Sequence, residues 1–281
     1  MKTICHNQIF QLKILTFEKI CVIIIIENEK GDYIMDKTSL GNRMKTYEAV
    51  PKKFLMRKTP VVIRLDGKAF HTFTKGFDKP FDKNIESAMT ETMLYLCENI
   101  QGCVLGYTQS DEITLILADW QTIDTDAWFS YNVQKMCSVA ASMATFIFSL
   151  AMEINAGFAE KDKADLIRRK LSNGVFFDAR CFNLPLHEVP NVLIWRQQDA
   201  TRNSIQGLAQ SLFPHKELQG LKCNQLQDKI FLEKSINWNN LTTYQKRGTC
   251  AVKTVDGDWT IDLNIPIFTE DRDYIKKRLE F

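Results

Sequence analysis

Apolar residues along this chain change their spacing several times, and each change marks an element. Val61-Val62-Ile63 and Leu65, interrupted by Arg64 and closed by Asp66-Gly67, predict a short buried strand. Ile85, Met89, Thr92, Met93 and Leu96 then recur at helical steps behind Asp82, a residue suited to capping a helix. Cys103 to Thr108 and Ile113 to Leu117 are two apolar, partly β-branched runs joined by Gln109-Ser110-Asp111-Glu112, which reads as a hairpin with acids at its turn. Val139, Met143, Ile147, Leu150 and Ile154 predict a long amphipathic helix whose stripe faces the sheet. Phe176 to Phe182 is a further strand. Beyond it, Gln198 to Phe213 and Leu218 to Lys234 carry helical patterns, and a basic turn over Tyr244 to Gly248 leads into a last strand, Thr249 to Lys253.

The order β-α-β-β-α-β is the split unit of the ferredoxin-like fold, the plan of nucleic-acid polymerase palms. The expected fold is therefore α+β, an antiparallel sheet packed by helices, with a helical C-terminal elaboration. The palm-like core falls at about 58–185 and the elaboration at about 186–281, within one catalytic domain over 35–281. The first 34 residues stand apart. Their apolar run Cys21 to Ile26 meets Glu27-Asn28-Glu29-Lys30 at once, far short of the roughly 20 residues that span a bilayer. No small-residue cleavage pattern follows. They read as an appended strand or as an upstream extension with Met35 or Met44 as the working start, and no membrane partner is expected.

Composition narrows the classes. With 281 residues, 45% hydrophobic and 25% charged, the chain is globular rather than disordered. Its net charge of +2 gives no global pull toward polyanions, but eight basic residues against two acids between Pro51 and Pro80 make a local excess around Asp66. The eight cysteines are scattered, with no spacing that suits zinc, and read as free thiols of a reducing, cytoplasmic compartment.

The candidate chemistry lies at the strand ends. Asp66, Asp111 and Glu112 place carboxylates on adjacent strands, an arrangement suited to holding two hard divalent cations against a nucleoside triphosphate. The turn from Gly67 through Lys68, Ala69 and Phe70 to His71 follows the strand directly, so its backbone N–H groups can point at phosphate oxygens.

Arg64-Leu65-Asp66-Gly67-Lys68-Ala69-Phe70-His71-Thr72-Phe73-Thr74, Gln109-Ser110-Asp111-Glu112, Phe177-Asp178-Ala179-Arg180, Arg196-Gln197-Gln198-Asp199 and Lys246-Arg247-Gly248-Thr249, in this order, resemble the signatures of the tRNA-His guanylyltransferase superfamily. The resemblance covers about residues 44–255. It implies 3′-to-5′ nucleotide addition to tRNA, with two Mg2+ ions, with GTP, ATP and other nucleoside triphosphates as substrates, and with a homotetrameric assembly. It assigns metal to Asp66, Asp111 and the Gly67 carbonyl, and leaves open whether Glu112 also binds it. It sets His71, Ser110, Lys79 and Lys135 beside phosphates and Asp82 beside the base, where a helix cap is the equal alternative. For the RNA, the planar forks of Arg180, Arg196 and Arg202, with Asn203, Lys246 and Arg247, are candidates.

One segment departs from the resemblance. Eukaryotic members that add a single guanylate to tRNA-His carry His-Ile-Asn-Asn where this chain has Thr201-Arg202-Asn203-Ser204. The chain thus resembles the bacterial and archaeal branch, which implies template-dependent repair of 5′-truncated tRNA, with single guanylate addition as the alternative. A nucleotidyl cyclase would need a Gly-Gly-Asp-Glu-Phe-type turn, which Gln109 to Ile113 does not supply, and a non-catalytic tRNA-binding module would lack the paired acids.

Overall fold

The computed structural model describes residues 38–280; the extension expected over residues 1–34 lies outside them. The chain divides into two compact units, Met1–Pro51 and Lys52–Phe281. In the first, α1 (Ser39–Ala49) is capped by Thr38, whose Oγ1 accepts from the Gly41 N–H at 3.0 Å, and none of its side chains is buried.

The second unit runs β1 (Val61–Gly67), α2 (Phe70–Phe73), α3 (Lys83–Asn99), β2 (Cys103–Gln109), β3 (Glu112–Leu117), α4 (Val133–Phe158), α5 (Lys161–Ser172) and β4 (Phe177–Asn183). It continues through α6 (Val189–Leu212), α7 (His215–Leu218), α8 (Cys223–Lys234), α9 (Thr243–Arg247), β5 (Thr249–Lys253), β6 (Trp259–Asp262) and α10 (Asp273–Lys276). The six strands form one antiparallel sheet ordered β4-β1-β3-β2-β5-β6. Its first four follow the order expected of the split unit, and β5 and β6 extend the β2 edge.

Alternation along each strand divides the residues between two faces. Ile63, Leu65, Ile113 and Leu115 face α3 and α4, meeting Met89, Met93, Leu96, Ala140, Ala144 and Phe148 in the larger core. By length and composition alone α4 could cross a membrane. Here Met136, Ala140, Ala144, Phe148 and Ala151 form its buried stripe, one position on from the expected Val139, Met143, Ile147, Leu150 and Ile154, of which only Ile147 is buried; alanine at successive turns lets the helix lie close to the sheet on that side. On the other face Val62, Leu105, Tyr107 and Ile116 pack against Leu193 and Ile194 of α6 and against Phe268. A third, smaller core joins Ile205 and Leu208 of α6 to Leu226 and Ile230 of α8.

The sequence assigned no helix to the segments that form α1 and α5, and three further elements differ from expectation. α6 begins at Val189, nine residues before Gln198, with a proline in its first turn where one is tolerated. The helix expected over Leu218 to Lys234 is two, separated at Gly220, whose φ of 77° suits glycine. β6 was absent from the sequence reading, because its four residues are too few to show a period.

Candidate active site

β1 runs through the sheet with β3 on one side and β4 on the other, so Asp66 faces Glu112 and Asp178 directly across its two ladders. All three share the face that bears Val62 and Arg64, opposite α3 and α4. The β2–β3 turn is tight, with Ser110 in the left-handed region at φ 51°, and the Asp111 carbonyl accepts from the Gly67 N–H at 3.0 Å. That bond ties the end of β1 to the turn carrying the second acid. Ser110 Oγ donates to Asp111 Oδ1 at 3.0 Å. Burial pushes the Asp111 carboxyl above the ordinary carboxylate range, and the negative charge of Asp66 adds to this against the pull of the Ser110 bond.

Glu112 is placed differently. It is buried, with Oε1 accepting from Arg196 Nε at 2.6 Å and Oε2 lying 3.9 Å from Arg64 Nε. Its charge is balanced within the protein, so it orients Arg64 and Arg196 on this face. Asp66 and Asp111, by contrast, form no ion pair among the described residues. Two adjacent carboxylates without a cation suit a divalent ion. Among the described residues no three His, Cys, Asp or Glu side chains converge as a cage. Two carboxylates and no such cage fit a cation that takes few protein ligands, as magnesium does.

Beside the acids opens a cleft of about 340 Å3. It is walled by the 74–82 segment, the first turn of α3, the β2–β3 turn, α6 and α9. Phe70, Lys79, Asp82, Ser110 and Asn203 all line it, so five residues singled out from sequence meet here. Asp82 caps α3, accepting from the Asn84 N–H at 2.9 Å, and also accepts from the Asp78 N–H at 3.0 Å and from Lys163 Nζ. It is a cap and a cleft wall at once.

Several candidates fall elsewhere. In the turn after β1, Gly67 N–H is taken by Asp111 and Lys68 N–H by the Phe176 carbonyl at 2.8 Å. Only the N–H groups of Ala69, Phe70 and His71 remain unused by the fold, at the open start of α2. Arg196 is 6% exposed and bonded to Glu112 and, at 2.7 Å, to Asp199. Its fork therefore serves carboxylates inside the protein, not phosphates. Lys135 is also remote. The Phe177 N–H donates to Thr145 Oγ1 at 3.1 Å, which sets the level of α4 opposite Gly67, and Lys135 lies ten residues earlier, about 15 Å along the helix. It is exposed on the far side of the sheet, its ammonium 5.8 Å from the Phe129 ring. Arg180 pairs with Asp178 at 2.7 Å and stays half exposed on the acid face. Arg202 pairs with Asp199, Lys246 donates to the Asn239 carbonyl at 2.7 Å, and Arg247 offers its carbonyl to Tyr107 Oη at 2.8 Å.

Sequence reasoning missed Lys163, Tyr244 and Gln245. Lys163 reaches Asp82 from α5, eighty-one positions away, and no local pattern signals such a partner. Gln245 lines the cleft beside Tyr244, its Nε2 3.5 Å from Glu86 Oε1.

A sequence profile of the family described as tRNAHis guanylyltransferase matches residues 41–185, from ahead of β1 through β4 and including Asp66, Asp111 and Glu112. The chain belongs to the tRNAHis guanylyltransferase family. It is thus a nucleotidyltransferase acting on tRNA. A bacterial tRNA(His) guanylyltransferase-like protein in complex with ATP superimposes with a TM-score of 0.76 at 42% identity, over 86% of this chain and 100% of that one. Such a protein in complex with GTP gives 0.71 at 38% identity, over 87% and 100%. An uncharacterised protein of Acanthamoeba polyphaga mimivirus is 29% identical over 225 residues, 76% of this chain and 77% of that protein. The guanylyltransferase family resemblance drawn from the motifs is borne out, as is the antiparallel sheet packed by helices.

Proposed function

We propose that this enzyme repairs 5′-truncated tRNA by template-dependent addition of nucleotides in the 3′-to-5′ direction. The observation that carries the reading is the wall of the cleft. Thr201-Arg202-Asn203-Ser204 occupies the segment of α6 where single-guanylate enzymes carry a histidine, and Asn203 and Ser204 line the cleft while Arg202 is held by Asp199. The bacterial-like proteins solved with ATP and with GTP support a cleft that takes either purine nucleotide.

In this reaction the 3′-hydroxyl of the incoming nucleotide attacks the α-phosphorus of a 5′ end that carries a triphosphate. The new O–P bond forms, the hydroxyl proton leaves, and the bond to pyrophosphate breaks. Asp66 and Asp111, with the Gly67 carbonyl, would hold Mg2+, which lowers the pKa of the attacking hydroxyl and neutralises the leaving phosphates. Ser110 orients the Asp111 carboxylate, Lys79 brings a positive charge to the cleft, and the N–H groups of Ala69, Phe70 and His71 are left unused by the fold. The six described cysteines are free thiols, which supports a cytoplasmic setting.

The test is a panel of tRNAs shortened at the 5′ end, compared with full-length tRNA-His. Addition complementary to the template base on several tRNAs is expected, dependent on Mg2+. Asp66→Ala and Asp111→Ala are each expected to abolish it while circular dichroism and unfolding midpoints stay near wild type. Addition confined to one guanylate on tRNA-His would replace repair with the tRNA-His reaction, and activity surviving in both variants would remove the acids from the site.

A further inference from the structure

Trp195 takes no part in the chemistry above, yet its side chain is 51% exposed on the face of the sheet that bears the acids. It begins a stripe of α6, Trp195-Asp199-Arg202, beside the stripe Ala200-Asn203-Gly207 that walls the cleft. The Arg196 guanidinium lies 4.3 Å from the ring centroid and that of Arg64 5.4 Å. Arg196 is itself fixed by Glu112 and Asp199, so the indole rests on a preset support. An exposed aromatic ring held against an arginine fixed in this way is a stacking surface, and bases of single-stranded RNA are recognised by such planes.

Extending a 5′ end brings two nucleotide units to the acids, and the two must enter differently. The cleft meets the acids at Ser110 and receives the incoming nucleotide. Trp195 meets them at Arg64, two residues back along β1 from Asp66. We propose that Trp195 is the stacking platform for the 5′-terminal base of the RNA acceptor. This rests on the reading that an RNA 5′ end is extended. Stacking accepts any base, since every base presents a π-face, and this suits an enzyme that meets different truncated ends.

The test uses the full-length enzyme with Trp195→Ala and Trp195→Phe. Loss of one base stack is expected to raise KM for a truncated tRNA about tenfold or more in the alanine variant. Phenylalanine should restore most of it, and affinity for ATP without RNA should not move. Tryptophan emission should be quenched when wild type binds the tRNA, with that component missing from Trp195→Phe. An unchanged KM in Trp195→Ala, or equal quenching in wild type and Trp195→Phe, would overturn the platform. So would parallel losses of ATP affinity and unfolding midpoint, which would mark a structural role. If wild type extends no truncated tRNA, the repair reading fails, while quenching on RNA binding still decides the stack.

Discussion

Gly67 shows how narrowly single residues define this site. A Cβ there would sit 2.3 Å from a Phe70 ring carbon. That ring cannot retreat freely, because it packs on Phe73, Phe148 and Phe177 at centroid distances of 5.2, 5.4 and 5.9 Å. Gly67→Ala should therefore cost about 1–3 kcal/mol through overpacking, read from urea unfolding, and should lower nucleotide addition by shifting Asp66 relative to Asp111. Asp82 carries a pH dependence of definite sign. Burial alone would raise its pKa, but the hydrogen bonds from Lys163, Asp78 N–H and Asn84 N–H outweigh it and hold the carboxyl below its ordinary 3.8. A lowered folded pKa contributes stability that is complete above the unfolded value and lost as pH falls through the folded one. The gap in urea midpoint between wild type and Asp82→Asn should hold steady at neutral pH and close below about pH 4. The placement of Asp66 and Gly67 at a strand end and of Asp111 in a hairpin turn was legible in the sequence, because the first two close an apolar run and the third lies between two. The fate of Arg196 was not, since an arginine on a helix gives no local sign of the buried acid on β3 that takes its fork.

Between elements, an ion pair at the floor of the site joins α6 to β3 beside their apolar packing. Arg196 and Glu112 are each less than a tenth exposed, so removing Arg196 leaves Glu112 buried with only Arg64, 3.9 Å away and not hydrogen-bonded, to balance it. Arg196→Ala should lower stability by about 3–5 kcal/mol at neutral pH. Burial already raises the Glu112 pKa, with Arg196 and Arg64 pulling the other way. Losing Arg196 should raise it further, and the deficit of the variant in urea should shrink as acid protonates Glu112. Strands with an apolar run of five or more residues and helices with a long apolar stripe were readable from their own pattern, as β1, β2, β3, α3 and α4 show. What escaped includes α5, which buries only Ala164 and Ile167, and places where tertiary contact decides: the four-residue β6, the early start of α6, and the break at Gly220.

Across the second compact unit, one sheet separates two cores, and the acids lie on the face shared with α6. The strand order was legible from the succession of elements, because a β-α-β-β-α-β chain has few ways to close an antiparallel sheet. The cleft was not, since its wall is gathered from segments between Phe70 and Gln245 that meet only in the folded chain. The two ladders on β1 give the molecule an internal clock. Backbone amides of Val62 to Leu65, fully buried or nearly so and bonded on both sides, can trade hydrogen for deuterium only when the sheet itself opens. Those of Gly76 and Lys79, exposed in the loop beside the cleft and bonded to nothing among the described residues, should trade far sooner in an exchange experiment read by mass spectrometry. Asp66 thus belongs to the slowest-opening part of the enzyme while one wall of its cleft belongs to a fast one, so the wall can reshape around different nucleotides without loosening the carboxylate that must stay still.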